Sequence, residues 1–181
     1  MLIEQLHEIA VFGSGCFWCT EAVFAALRGV ISVMPGYVGG TVEKPNYEQV
    51  CSGQTGHAEV IRVEYNPAVI SYPDLLGVFF ATHDPTTVNR QGGDVGTQYR
   101  SVIFTTSEAQ ATEARKVIAE LKALGDFDGP IVTRVEPLKD FYEAEEYHRN
   151  YYQNNPTAGY CQAIISSKLA KFRVSYAHLL K

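Results

Sequence analysis

Apolar residues in this chain fall into short runs separated by glycine, proline and polar stretches, and the runs predict an alternation of strands and helices. Residues 7–12 read as a strand, with Ile9, Ala10, Val11 and Phe12 in a row. Residues 17–28 read as a helix closed by Arg28-Gly29. Residues 30–38 read as extended, interrupted by Pro35-Gly36, and 57–65 alternate before Asn66-Pro67. Ser71-Tyr72-Pro73-Asp74 opens a helix that stops near His83. A strand over 99–105 leads to Ser107, which caps a helix with Gln110 three residues on and Gly125 at its end. Residues 131–135 predict a short strand, and 141–153 an aromatic-rich helix ending before Pro156. The tail from Lys168 to Lys181 reads as a packed amphipathic segment with Leu169, Phe172 and Leu179 inward.

The order is β-α-β, then β-α-β, then α-β-α. Its first six elements match a split βαβ plan, so the expected fold is α+β. The expected architecture is a ferredoxin-like two-layer sandwich, a mixed sheet with helices packed on it. Residues 39–56 and 84–97 remain as long polar, Gly-rich connections. Loops of that length in a compact domain usually carry function. No repeat, low-complexity stretch or linker divides the chain, so residues 1–181 are expected to form one catalytic domain. Its irregular C-terminal segment starts near residue 154.

Composition narrows the function classes. A net charge of -5 argues against nucleic acid or an anionic membrane as main partner. No apolar run approaches a membrane span, and the N-terminal residues Glu4, His7 and Glu8 do not make a signal peptide. The expected location is cytoplasmic. There, four cysteines point to catalysis, redox chemistry or burial rather than structural bridges.

Gly15-Cys16-Phe17-Trp18-Cys19 is the leading chemical motif. A strand, a glycine turn and a cysteine at a helix start favour a thiolate, because unpaired N–H groups and the positive end of the helix dipole face the sulfur. Phe17 and Trp18 add apolar rings beside it. That pairing suits a substrate with a small apolar group next to an electrophilic centre. Cys19 completes a Cys-x-x-Cys, readable as a dithiol or as a core residue one turn into the helix. Period two puts Glu59 on the face of Ile61, Val63 and Tyr65. It is therefore either a desolvated general acid or a strand-end carboxylate reaching solvent. Tyr47, Tyr99 and Asp94 sit in or beside the long loops, as do His57 and Arg100. Cys161, in the segment from Pro156, is either a mobile thiol that reaches an oxidised Cys16 or an incidental surface one. Burial is the simplest account of Cys51. No spacing completes a zinc site, and the glycines of 91–96 make no phosphate loop.

Together these residues resemble the peptide methionine sulfoxide reductase A family. Gly15-Cys16-Phe17-Trp18 is similar to its active-site signature, and Gly53-Gln54-Thr55-Gly56-His57-Ala58-Glu59 to its Gly-x-Thr-Gly-His-Ala-Glu motif. His83-Asp84-Pro85-Thr86, Asn89-Arg90-Gln91, Gly96 to Ser101, Ala144-Glu145, Tyr147-His148 and Gly159-Tyr160-Cys161 follow in the family's order. The resemblance implies reduction of the S epimer of methionine sulfoxide, protein-bound or free. In it Cys16 is the nucleophile, and Phe17 and Trp18 hold the S-methyl group. Glu59 is the acid, Tyr47 and Tyr99 bind the sulfoxide oxygen, and Asp94 supports the site. It implies a Cys16–Cys161 disulfide reduced by thioredoxin, with no metal or organic cofactor. Nothing in the sequence demands more than a monomer. Two rivals stand beside it: a general disulfide oxidoreductase using Cys16 and Cys19, and a methionine-binding module without turnover.

Overall fold

Two central strands carry side chains buried on both faces, and the rest of the molecule is arranged around them. The computed structural model describes residues 6–159 and 161–181, with the side chains of Cys161 and Gln162 outside that description. The elements run β1 (Glu8–Ser14), α1 (Phe17–Ala25), β2 (Val30–Val38), α2 (Tyr47–Cys51), β3 (Ala58–Tyr65) and α3 (Tyr72–Ala81). A ribbon of β4 (Arg90–Gln91) and β5 (Asp94–Val95) precedes β6 (Ser101–Thr105) and α4 (Glu108–Leu124). Then follow β7 (Arg134–Pro137), β8 (Tyr142–Glu143), α5 (Tyr151–Asn154) and α6 (Ser166–Ser175).

The main sheet has the order β7-β6-β1-β3-β2-β8. Its four middle strands, β6-β1-β3-β2, are antiparallel neighbours in the split βαβ arrangement. β7 adds parallel to β6 after the α4 crossover, which makes the sheet mixed. The expected α+β fold, a mixed sheet with helices packed on it, is what the chain adopts.

Residues of α1, α3, α4 and α6 join Ala10, Phe12, Ile61, Val63 and Ile103 in one core. Phe12 is its centre, with ring centroids 5.4 Å from Phe24, 5.1 Å from Phe79 and 6.2 Å from Tyr72. The opposite sheet face buries a smaller cluster of Val11, Val38, Ala58, Val60, Val102 and Phe104. Ser71 and Ser107 cap α3 and α4 as expected, and Gly125 ends α4 in the left-handed conformation at φ 69°.

Three segments differ in extent from expectation. α1 stops at Ala25 because Leu27 bridges to Leu180 and the Arg28 amide donates to the Leu179 carbonyl at 2.7 Å. Pro35-Gly36 does not interrupt β2. The Pro35 carbonyl accepts from the Ala144 amide at 2.9 Å, so its missing donor faces the outer edge and costs no bond to β3. The strand expected over 131–135 lies at Arg134–Pro137, since Val132 turns its amide to the Pro85 carbonyl.

The helix expected over 141–153 does not form. Its aromatics go to separate places: Phe141 lies under the Arg62 guanidinium, Tyr142 pairs with Tyr37, and His148 is fully buried. Asn150, at φ 53° and ψ 35°, turns the chain into the short α5. Tertiary partners override the helical spacing here.

Phe12→Ala should destabilise the fold by about 3–5 kcal/mol, the range for emptying a buried phenylalanine site. A urea midpoint shift worth less than about 1 kcal/mol would show that the core does not turn on this ring.

Candidate active site

Gly15 ends β1 at φ 95°, and a Cβ there would lie 2.7 Å from Gln91 Cβ. Only glycine lets the strand turn so closely beneath the 84–97 loop. Cys16 follows as the N-cap of α1, half-buried, with its carbonyl accepting from the amides of Cys19 at 3.2 Å and Thr20 at 3.4 Å. Its side chain makes no cap bond to the helix, leaving the sulfur at the end where first-turn N–H groups and the dipole favour negative charge.

Glu59 lies on β3, on the helix side of the sheet, and is 1% exposed. Its Oε1 accepts from the Phe17 amide at 3.2 Å, so the carboxyl sits under the first turn of α1. Oε2 meets no hydrogen-bond partner among the described residues. Burial pushes its pKa up to about 8, against the Phe17 N–H, which favours the charged form, and with help from the nearby Asp94 and Cys19. Glu59 is therefore a protonated carboxyl at neutral pH.

An aromatic surround closes the space over α1. Trp18 stacks on Tyr151 with centroids 3.8 Å apart and planes 7° from parallel. Its Nε1 donates to His148 Nδ1 at 2.9 Å. That bond requires an unprotonated Nδ1, and burial lowers the His148 pKa, so the ring is neutral with its proton on Nε2. His148 also touches Phe17 and Tyr47, with centroids at 5.0 and 4.5 Å.

Glu145 gathers the far side. It accepts from the Tyr37 hydroxyl at 2.9 Å, the Tyr47 amide at 3.0 Å and the Tyr147 hydroxyl at 3.3 Å. Burial opposes its charge, but its own backbone amide, the Tyr47 amide and the Tyr37 hydroxyl outweigh it and hold its pKa below the usual range. Burial raises the phenol pKa of Tyr47 and of Tyr99. For Tyr47 a hydrogen bond with Cys51 and then the Glu59 carboxyl add to this, and for Tyr99 the Glu59 carboxyl comes next. Both phenols stay protonated and can donate.

The long loops are fastened to each other. His57 accepts from the Gly40 amide at 3.0 Å through Nδ1, and its Nε2 bonds the Val42 carbonyl at 2.7 Å. Arg100 donates to the carbonyls of Gly56 at 3.0 Å and Thr97 at 2.8 Å. His57 and Arg100 thus hold the frame. Asn46 and Gln49 form a capping box that starts α2 at Tyr47.

The structure brings Cys16, Phe17, Trp18, Glu59 and Tyr47 into one neighbourhood, with Asp94 and Tyr99 near enough to act electrically on each other or on Glu59. Cys19 is buried in the core. Cys51 is exposed rather than buried, because it closes the exposed end of α2 with its sulfur toward Tyr47. The side chain of Cys161 lies outside the described residues. Tyr37, Tyr151 and the roles of Glu145 and His148 were not foreseen. Tyr37 pairs directly with Glu59 across β2 and β3, so counting the hairpin register would have found it. Among the described residues no group of His, Cys, Asp and Glu could hold a metal ion, and no helix is long and apolar enough to cross a membrane.

A thiol at a helix start, beside a buried protonated carboxyl and an aromatic surround, is the equipment of a thiol-dependent oxidoreductase. A family model described as peptide methionine sulfoxide reductase matches residues 8–179. The peptide methionine sulfoxide reductase MsrA of Deinococcus radiodurans is 58% identical over 175 residues, spanning 97% of this chain and 85% of the relative. Mxr1 from Saccharomyces cerevisiae in its reduced form is 38% identical, with a TM-score of 0.78 over 86% of this chain and 89% of that one. The same yeast protein in complex with Trx2 is similar at 30% identity and a TM-score of 0.56, over 80% of this chain and 84% of that one. The chain belongs to the peptide methionine sulfoxide reductase family, and its reaction is the thiol-dependent reduction of methionine sulfoxide to methionine.

Glu59 should titrate near pH 8 in the folded protein. Its folded pKa is above the unfolded value of 4.5, so folding stability should fall as pH rises from that value through about 8. Glu59→Gln should flatten that limb. A carboxyl carbon resonance that shifts near pH 4.5, read by NMR, would sink the assignment.

Proposed function

We propose that Cys16 is the nucleophile, Glu59 the proton donor, and Tyr47 and Tyr99 the hydrogen-bond donors to the sulfoxide oxygen. Phe17 and Trp18 receive the S-methyl group, and Asp94 supports the site by adding to the burial that keeps Glu59 protonated. The observation that carries this reading is the buried Glu59 carboxyl bonded to the Phe17 amide, one residue along from Cys16. A sulfoxide sulfur is a poor electrophile until its oxygen is protonated or strongly hydrogen-bonded. A neutral carboxyl and two phenols meet that need where negative charge gathers.

The thiolate of Cys16 attacks the S-sulfoxide sulfur and takes over its oxygen. The substrate leaves as the thioether, reduced by two electrons, and Cys16 becomes a sulfenic acid. The thiol of Cys161 then condenses with it, forming a disulfide and releasing water. A thioredoxin reduces that disulfide by exchange, returning both thiols. The complex of yeast Mxr1 with Trx2 supports this choice of reductant. In this reading the whole chain works as one catalytic domain, monomeric and cytoplasmic, on free and protein-bound methionine sulfoxide. It needs no metal or organic cofactor.

A single turnover tests the thiol chemistry. Reduced protein freed of reductant and given the S-sulfoxide of N-acetylmethionine should form about one methionine derivative and lose two thiols per chain. Cys16→Ser should form none. Cys161→Ser should complete the first turnover but not cycle with thioredoxin. Full cycling by Cys161→Ser would move the resolving role elsewhere, to Cys19 or to direct reduction.

Glu59→Gln should slow the first turnover by roughly two to four orders of magnitude, the range for losing a general acid or a key charge-stabilising donor. A change under about twofold would make Glu59 a structural residue only.

A further inference from the structure

Glu145 collects donors from two separate parts of the chain, and the reaction above gives it no part. It follows β8, and the backbone around it is held on both sides. The amide of Ala144, just before it, donates to the Pro35 carbonyl of β2 at 2.9 Å. Its own carbonyl accepts from the His148 amide at 3.0 Å, over a single 3-10 turn at Glu146–His148. From that fixed point the side chain reaches both ends of the connection between β2 and α2. Oε1 accepts from the hydroxyl of Tyr37, a fully buried residue paired with Glu59 across the hairpin, at 2.9 Å. Oε2 accepts from the Tyr47 amide at 3.0 Å.

The second bond decides where α2 begins. Tyr47 is the first residue of α2, and first-turn amides have no partner within their own helix. The capping box serves two other amides. Asn46 Oδ1 accepts from the Gln49 amide at 2.8 Å, and Gln49 Oε1 accepts from the Asn46 amide at 2.9 Å. The Tyr47 amide goes instead to Glu145, 98 residues along the chain. A helix of five residues is too short to hold itself, so its start is set by such contacts. The Tyr47 ring it carries has its centroid 4.5 Å from that of His148 and 6.5 Å from that of Trp18.

We infer that Glu145 is a positioning residue that fixes the start of α2 and so aims the Tyr47 hydroxyl at the sulfoxide oxygen. The inference rests on the reading that Tyr47 donates to that oxygen. A donor aimed where negative charge gathers acts in the transition state. Losing its aim should therefore lower kcat and leave KM nearly unchanged.

Single-turnover rates over a range of the S-sulfoxide of N-acetylmethionine separate the two quantities. Glu145→Met fills the space without an acceptor. It should slow the saturated rate roughly tenfold to hundredfold, with half-saturation within about threefold of wild type. Glu145→Gln keeps an oxygen for the Tyr47 amide, and the Tyr37 hydroxyl can turn to accept from its new NH2 group. It should return the rate to within about threefold of wild type. Tyr47→Phe should be slow, and adding Glu145→Met to it should slow it no further, because no hydroxyl is left to aim. A wild-type rate in Glu145→Met, a Glu145→Gln as slow as Glu145→Met, or losses that multiply in the double variant would each overturn the inference. A Tyr47→Phe at the wild-type rate would overturn the donor reading, and the inference falls with it. Which single variant keeps its rate tells the two failures apart. If Glu145→Met does not fold, Glu145→Asp decides, since it draws the carboxylate back by one methylene. Its rate should fall, again with no further loss on top of Tyr47→Phe, and a wild-type rate would overturn the inference.

Discussion

The hydrogen bond from the Phe17 amide to the Glu59 carboxyl joins the central strand of the sheet to the first turn of α1, and the site depends on it. Two tendencies compete at that carboxyl. An amide donor at a helix start favours the anion, and removal from water disfavours it. With one donor engaged and Oε2 unpartnered among the described residues, desolvation wins and the proton stays. The same helix start that favours a thiolate on Cys16 is thus capped from below by a neutral acid. Cys16 is half-buried at this helix start, whereas the Glu59 carboxyl below it is fully buried.

Another acidic residue, Glu145, borders this pair and orients the rings beside it. Glu145 holds Tyr37, Tyr47 and Tyr147 from one side. His148, neutral and buried, fixes the indole of Trp18. The aromatic surfaces are therefore oriented by polar contacts at their rims.

The split βαβ plan was legible because it is written in local signals. Ser71 with Asp74, Ser107 with Gln110, and Gly125 mark helix ends by their own chemistry. Alternation in β3 gave the side of the sheet on which Glu59 falls. The stretch from Phe141 to Asn154 was not legible, because its aromatics have helical spacing but are claimed one by one by Arg62, by β2 and by Trp18. That misreading hid the parts played by Glu145 and His148. Cys51 was misjudged for a similar reason, since α2 is made by the Asn46 capping box rather than by an apolar face. The motif resemblance supplied the proposed catalytic set. It named no part for Tyr37, which only the pairing of β2 with β3 brings to Glu59.

The outer edge of β2 has a consequence for how copies of the chain meet. Pro35 presents no donor there, Gly36 and Tyr37 are already paired with β8, and β8 itself is only two residues long. A strand from another molecule approaching this edge finds a broken ladder with one rung missing and the next occupied. The opposite edge ends in the short β7, whose last residue is Pro137. Both borders of the sheet thus discourage templated strand addition. A sheet closed in this way at both borders keeps one copy of the chain from extending another by strand pairing.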